Sequence, residues 1–262
     1  MTLFVALLWL SGNDFLLPVA RRVGYAVCHQ LPSHSYTAWG IPLPLCARCT
    51  GQYLGVLLVL GYILWLGGRN IQRFPTRPAL VILGGLVIAW AVDGLNSYLD
   101  FLGLPHLYTP QNVLRLLTGM GEGVALMALF WPLFAQVTWP VTGREQLGAR
   151  DIVVVMGIGY ASVFLIHVGD GRVRYAFGLL SALGVLIVMT LLFSALLRLA
   201  THRVGTNSSR WERGLFLVGG LMVAVLVVIG VGVLRDLLPQ LADYQTTSRR
   251  FDDVRLHLLP YH

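Results

Sequence analysis

Lysine is absent from this chain of 262 residues, so its 19 basic side chains are all arginine. Charge of either sign is scarce: 12% of residues are charged, against about a quarter in soluble domains. No polar stretch is long enough for a separate soluble domain. The arginines lie mostly between apolar runs and are not clustered on one exposed face. That distribution argues against nucleic acid as a partner and fits charges that set topology and meet anionic lipid. Cysteine is scarce and odd in number at three, which excludes a fully paired disulfide framework. The N-terminus lacks the positive region of a secretory signal peptide, since Arg21 and Arg22 follow the first apolar stretch. The apolar runs are continuous and not alternating, which argues against a β-barrel. Internal repeats and low-complexity segments are missing.

What is there is apolar: 56% of residues are hydrophobic. A membrane-spanning helix needs about 20 mostly apolar residues. Six segments meet that requirement, at 50–68, 78–98, 113–135, 151–168, 175–199 and 214–235. A weaker first segment, 3–20, is interrupted by Ser11-Gly12-Asn13-Asp14 and followed by Pro18; we expect it to span. The fold class is therefore all-α, a polytopic transmembrane bundle of six or seven helices over residues 1–238, followed by a polar tail at 239–262 that is interfacial or extramembrane.

Arginine placement gives an expected orientation. Arg69, Arg73 and Arg77 follow the second segment, Arg144 and Arg150 the fourth, and Arg203, Arg210 and Arg213 the sixth, whereas the 99–111 connection has none. Positive charge marks the cytoplasmic face. The expected localisation is thus a prokaryotic plasma membrane, with the 28–49 loop on the extracytoplasmic side. Arg21, Arg22, Arg172 and Arg174, and the tail's Arg249, Arg250 and Arg255, pull the other way.

All three cysteines fall in one short loop. It reads Cys28-His29-Gln30, then Pro32-Ser33-His34-Ser35-Tyr36, then Pro42-Leu43-Pro44-Leu45-Cys46-Ala47-Arg48-Cys49-Thr50-Gly51. Cys46-x2-Cys49 lets two sulfurs reach one ion around a tight turn. Cys28 and one histidine would complete a tetrahedral zinc-type site, and iron also accepts thiolates. Adjacent residues rarely ligate the same ion, so His34 is preferred over His29 as the fourth ligand. Two other readings stay open. Thiols at a helix N-terminus beside Arg48 have the setting of redox-active thiolates, with Cys28 as the resolving partner. Alternatively, a disulfide pins the loop and leaves one thiol free.

A second polar set lies in the third and fourth segments. Asp93, Asn96 and Asp100 share one helix face, as do Asn112, Arg115, Gly119 and Glu122. Such residues are costly in a bilayer unless paired. Asp93 and Arg115 lie at similar depth and are expected to pair. Glu122 lies deeper, between Gly121 and Gly123, which permit close helix approach or room for a ligand. The set reads either as a buried clamp or as a functional pocket. The path of the chain brings these residues, the cysteines, and His167, Asp170, Arg172 and Arg174 to one membrane face. The remaining features read plainly: His106, His202, His257 and His262 as solvated, the tryptophans and tyrosines as interfacial belts, and Gly157, Gly159, Gly219 and Gly220 as packing contacts.

Cys28-His29-Gln30, the Pro-x-x-Ser-Tyr element and Pro44-Leu-Cys-Ala-Arg-Cys-Thr-Gly-x-Tyr-Leu-Gly55 resemble a family of predicted prokaryotic membrane proteins, domain of unknown function 2085. The resemblance continues through Asp93-Gly94, Asn96 and Asn112-x-x-Arg115-x-x-Thr118-Gly119, covering residues 20–135. It implies that the cysteine loop and the helices after it act as one unit, and it implies no substrate.

Three functional readings follow. In the first, Cys28, Cys46, Cys49 and a histidine hold zinc or iron beside a polar pocket that takes a lipid-borne anionic group. Arg48, Asn96, Asn112 and Arg115 would bind it, with Asp93 or Glu122 as acid or base and Arg115 assisting. The second is a thiol–disulfide or quinone-linked oxidoreductase using Cys46 and Cys49. The third is a transporter, or an accessory subunit held by partner membrane subunits.

Overall fold

The computed structural model describes residues 16–206 and 209–257, with side chains described as far as residue 238. Residues 3–15 of the expected first span lie outside the described residues, as does His262. The remainder begins with a short amphipathic helix, α1 (Leu16–Tyr25), which buries Leu17, Ala20 and Gly24. Six long helices follow: α2 (Ala47–Trp65), α3 (Arg77–Phe101), α4 (Asn112–Thr138), α5 (Ala149–Val168), α6 (Gly171–Ala200) and α7 (Arg210–His257). All six are long and apolar enough to cross a membrane, α7 over Arg210–Leu238. The protein is an all-α membrane bundle. The polar stretch after residue 238 is helical as far as His257, as a continuation of α7. Hydropathy ends a span there without ending the backbone hydrogen bonding.

The helix ends explain where the spans start. Cys46, with extended backbone, sits at the N-cap of α2. Asp170 caps α6, its carboxylate accepting the backbone N–H groups of Arg172 and Val173 at 3.1 Å. Those bonds satisfy donors that every helix N-terminus leaves open. They let α6 begin at a polar turn, four residues before its apolar run.

Helix α4 is the most buried of the spans, and α3 and α7 are the least. The tightest seam joins α2 and α4. A Cβ on Gly51 would collide with the Leu116 carbonyl, and one on Gly55 with the Met120 carbonyl. Reciprocally, a Cβ on Gly119 would strike the Arg48 backbone, and one on Gly123 the Gln52 backbone. Two small-x-x-x-small pairs thus face one another, the pattern that lets helices approach backbone to backbone in lipid. Val56, Ile63, Leu83, Val124, Trp131 and Phe134 continue the packing from this seam across the bundle. Of the glycines expected to pack helices, Gly159 meets Met120 and Gly220 meets the Thr190 carbonyl, whereas Gly157 faces open space.

At the far end of the bundle, the 66–76 and 139–148 connections are stitched together. The Gln72 side chain donates to the Pro140 carbonyl at 3.0 Å and accepts the Gly143 N–H at 2.8 Å. At the cysteine end, the loop folds a two-stranded hairpin, β1 (Thr37–Ala38) against β2 (Ile41–Pro42). Its turn residues Trp39 and Gly40 both have positive φ, 49° and 81°, the geometry that two-residue hairpins demand.

Candidate metal centre and polar site

The cysteine loop is held along α6. Trp39 packs on Tyr175 with ring centroids 5.7 Å apart, a Cβ on Gly178 would touch Leu43 and Pro44, and Val185 lies against Cys28, Leu45 and Cys46. The thiols therefore sit at the inner end of the loop, where it enters α2, and not at its tip. Gln30 fixes the path. Its backbone is left-handed at φ 52°, and its side-chain amide donates to the Arg21 and Pro44 carbonyls at 2.7 and 2.6 Å. That strained conformation turns the Gln30 N–H onto the Cys28 sulfur at 3.4 Å. The backbone N–H of Cys46 reaches the same sulfur at 3.3 Å.

The sulfurs of Cys28, Cys46 and Cys49 lie within 4.8 Å of one another, and all three cysteines are free thiols. Val23, Val27, Tyr53 and Met189 surround them. Cys28 is the acceptor of the group. Its thiol is pushed down to about 2, chiefly because the Cys46 and Cys49 thiols donate to it, with the two backbone N–H groups adding. Cys46, as donor to Cys28, is pushed up to about 11. A sulfur that gathers N–H donors favours its thiolate, the form that binds metal. Neither His29 nor His34 belongs to this group of ligand atoms. The two imidazoles instead pack edge to face, 5.5 Å apart. His34 faces the arginines: burial first, then the charge of Arg115, lowers its pKa.

In the first turn of α2, the side chain of Arg48 leaves toward α3. Asp93, 1% exposed, accepts from it through Nε at 3.1 Å and through a close contact with a terminal nitrogen. Arg48 also donates to the Asp93 carbonyl and to Ser97 Oγ. The Tyr108 hydroxyl donates to the other Asp93 oxygen at 2.8 Å, and Thr118 Oγ1 donates at 3.3 Å to the oxygen that Arg48 contacts. The expected Asp93–Arg115 pair is therefore corrected to Asp93–Arg48. Arg115 donates instead to Asn112 at 2.9 Å, one turn back on its own helix, and its buried Nε has no partner among the described residues. Burial and the bond to Asp93 raise Tyr108 to about 12, so its phenol remains a donor.

The asparagines are latches. Asn96 donates to the Tyr108 carbonyl at 2.8 Å and accepts the N–H groups of Leu107 and Tyr108. Asn112 donates to the Ser33 and Ser35 carbonyls, fastening the cysteine loop to α4. Glu122 is half-buried, and its Oε2 has no partner among the described residues. Asp100 faces His106 at 3.6 Å. The face convergence extends to α5 and α6: the Tyr36 hydroxyl meets His167 Nδ1 at 3.2 Å, and Arg174 lies over the Tyr36 ring.

Two contributors had no clear sequence signal of their own. Arg235, at the end of the α7 span, reaches the carbonyls of Tyr25 and Cys28, the latter at 2.9 Å. Gln30 is the other; it stands in the Cys28-His29-Gln30 element, which does not indicate the carbonyls its side chain ties together. The glycine pairs of α2 and α4, by contrast, carried a readable four-residue spacing.

Fold and site together define a polytopic membrane protein with a three-cysteine cluster built against a buried arginine–aspartate pair. The family described as predicted membrane protein (DUF2085) matches residues 28–129, the stretch that carries this cluster and pair. An uncharacterised protein of Methanocaldococcus jannaschii is 31% identical over 115 residues, 43% of this chain and 67% of the relative. An uncharacterised protein of Methanothermobacter thermautotrophicus is 31% identical over 111 residues, 42% of this chain and 89% of the relative. The chain belongs to this family of predicted membrane proteins. No solved structure matches it.

Proposed function

We propose that Cys28, Cys46 and Cys49 hold one thiophilic metal ion, zinc or iron, and that the ion fastens the extramembrane loop to the helix that presents Arg48. The observation that carries this reading is the convergence of three sulfurs within 4.8 Å, with backbone N–H groups aimed at Cys28. A disulfide would use two of the sulfurs and leave the third without purpose. Three thiolates suit zinc or iron, and among the described residues no histidine stands ready as the fourth ligand, so that position would fall to water or to a bound group.

Arg48 lies between two of the sulfur-bearing residues in one helical turn, so fixing the sulfurs fixes the guanidinium and, through it, Asp93. With Arg48 committed to Asp93, Arg115 keeps a buried donor, its Nε, that has no partner among the described residues. It would receive an anionic group borne by a lipid, with Asp93 or Glu122 as the nearby carboxylates. The arginine-rich connections at the opposite end support a cytoplasmic location for that end and an extracytoplasmic one for the thiols.

Metal analysis and thiol titration on one anaerobically purified, detergent-solubilised sample test this reading. The expected result is near-stoichiometric zinc or iron, lost in Cys46→Ser and in Cys49→Ser. A metal-free protein whose thiols appear in pairs only after reduction would replace it with the thiol–disulfide reading. For orientation, a cysteine placed at exposed Thr37 should react with an impermeant thiol reagent in intact cells; protection until lysis would reverse the assignment.

A further inference from the structure

Far from the cysteines, at the other end of α6, a second charged group is buried where charge is costly. Arg198 is 0% exposed. It lies 24 residues beyond Arg174, roughly 36 Å along the helix at 1.5 Å per residue. Its Nε and one terminal nitrogen have no hydrogen-bond partner among the described residues. The other terminal nitrogen makes only a long contact, 3.5 Å, to the Arg203 carbonyl. One face of the guanidinium rests on the Phe216 ring, 4.4 Å from its centroid. Among the acidic residues at this end, Glu212 faces Arg203 at 3.8 Å, and Asp151 accepts from the Tyr62 hydroxyl and the Gly148 N–H.

Arg198 lines a cavity of about 270 Å³ between α2, α4, α6 and α7. Thr138 also lines it, 5% exposed, with a hydroxyl that likewise has no partner among the described residues. Trp131, Trp139 and Leu191 form further apolar wall. Two more lining residues, Leu64 and Leu217, are 58% and 40% exposed on the bundle's outer surface. The cavity therefore combines a buried guanidinium and a buried hydroxyl with an apolar wall that reaches the lipid side of the bundle.

A buried cation with unfilled donors calls for a counter-charge. We infer that this cavity binds the phosphate headgroup of an anionic lipid, with Arg198 and Thr138 holding phosphate oxygens and the leucines and tryptophans receiving the first methylenes of the chain. Guanidinium donors match phosphate oxygens in a planar fork. Headgroup recognition at a helix end near the membrane boundary needs no contact across the bilayer. The volume is just below the usual range for small-molecule pockets, so it suits a headgroup and the start of a chain and not an entire lipid. This site is separate from the thiol centre and stands or falls without it.

The test is the thermal stability of the full chain in nanodiscs, together with lipids retained in native mass spectrometry. Phosphatidylglycerol should raise the melting temperature of the wild type above its value in phosphatidylcholine, and the anionic lipid should be retained. Arg198→Met should remove that difference, while Arg210→Gln, an arginine outside the cavity lining at the same end, should keep it. Should Arg198→Met fail to fold, Leu217→Trp fills the cavity from α7 with every charge intact and should weaken retention at least tenfold. Equal stabilisation by both lipids, or retention unchanged in Leu217→Trp, would overturn the proposal. Stabilisation by inorganic phosphate alone, matching that by lipid, would overturn the assignment to lipid.

Discussion

The stretch from residue 28 to 138 and the stretch from 149 to 238 meet the membrane on different terms. The first buries polar groups in matched sets: Arg48 with Asp93, Tyr108 and Thr118; Asn96 with the 107–108 backbone; Asn112 with the cysteine loop. Its central helices touch backbone to backbone at Gly51, Gly55, Gly119 and Gly123. The second makes a close backbone approach at Gly220, against the Thr190 carbonyl, but has no facing glycine pairs among its described residues; Gly157, Gly214, Gly230 and Gly232 face open space, as Gly61, Gly84, Gly85 and Gly94 do in the first. In lipid, apolar character inserts a helix but does not choose its neighbour; close packing and polar contacts choose. The first stretch thus specifies its geometry locally, and the second is placed largely by what it covers. Family similarity falls on 28–129, in the first.

The largest expected break in that contrast is at the seam. Gly119→Val should abolish recovery of monodisperse protein in size-exclusion chromatography, since the new side chain meets the Arg48 backbone and neither helix can yield. Gly230→Ala, in open space, should leave recovery intact and shift stability by no more than ~1 kcal/mol. A folded Gly119→Val protein would show that the two helices are not locked together.

The ion pairs sharpen the comparison next. Arg48→Met leaves Asp93 buried without its cation and should cost about 3 kcal/mol. Arg22→Gln, which removes the exposed Arg22–Asp236 pair between α1 and α7, should cost about 1 kcal/mol or less. Equal losses in denaturant titrations would contradict the distinction. Asn96→Leu, which unfastens the 107–108 connection, should fall between them at about 1–3 kcal/mol for the unpaired backbone groups it leaves.

The smallest effect is on pH. Burial and the charge of Arg115 place the His34 pKa below the ordinary 6.5. The unfolded chain therefore takes up this proton before the folded one. The associated stability is complete above about pH 6.5 and declines as the pH falls through and below that value. A slight drop in melting temperature between pH 7 and 5, reduced in His34→Gln, is the expected result; an unchanged slope in the variant would remove His34 as its source.

All six spans were legible because the bilayer sets a length and a composition that local contacts do not alter. Their starts were less so: Asp170 begins α6 through a side-chain cap, and Cys46 holds the N-cap position of α2 without a side-chain cap bond; hydropathy registers neither, so α2 starts at 47 and α6 at 171. In the site, the cysteine cluster was visible as spacing. The partner of Asp93 was not, because depth alone was compared between α3 and α4, while Arg48, at the start of α2, reaches the same level. Asn96 and Asn112 were read as ligand contacts because sequence shows a polar group without showing the backbone that satisfies it. At Arg198 the sequence shows only a charge at the edge of an apolar run, where such residues are ordinary.

The glycine seam also constrains how this chain can vary. A bulky core residue that grows can be accommodated by a neighbour that shrinks, so two changes together restore what one destroys. At Gly51, Gly55, Gly119 and Gly123 the opposing atoms include backbone, which has no smaller version to offer. Second-site rescue is closed at these four positions. A complete substitution scan should find them intolerant in isolation and intolerant in combination.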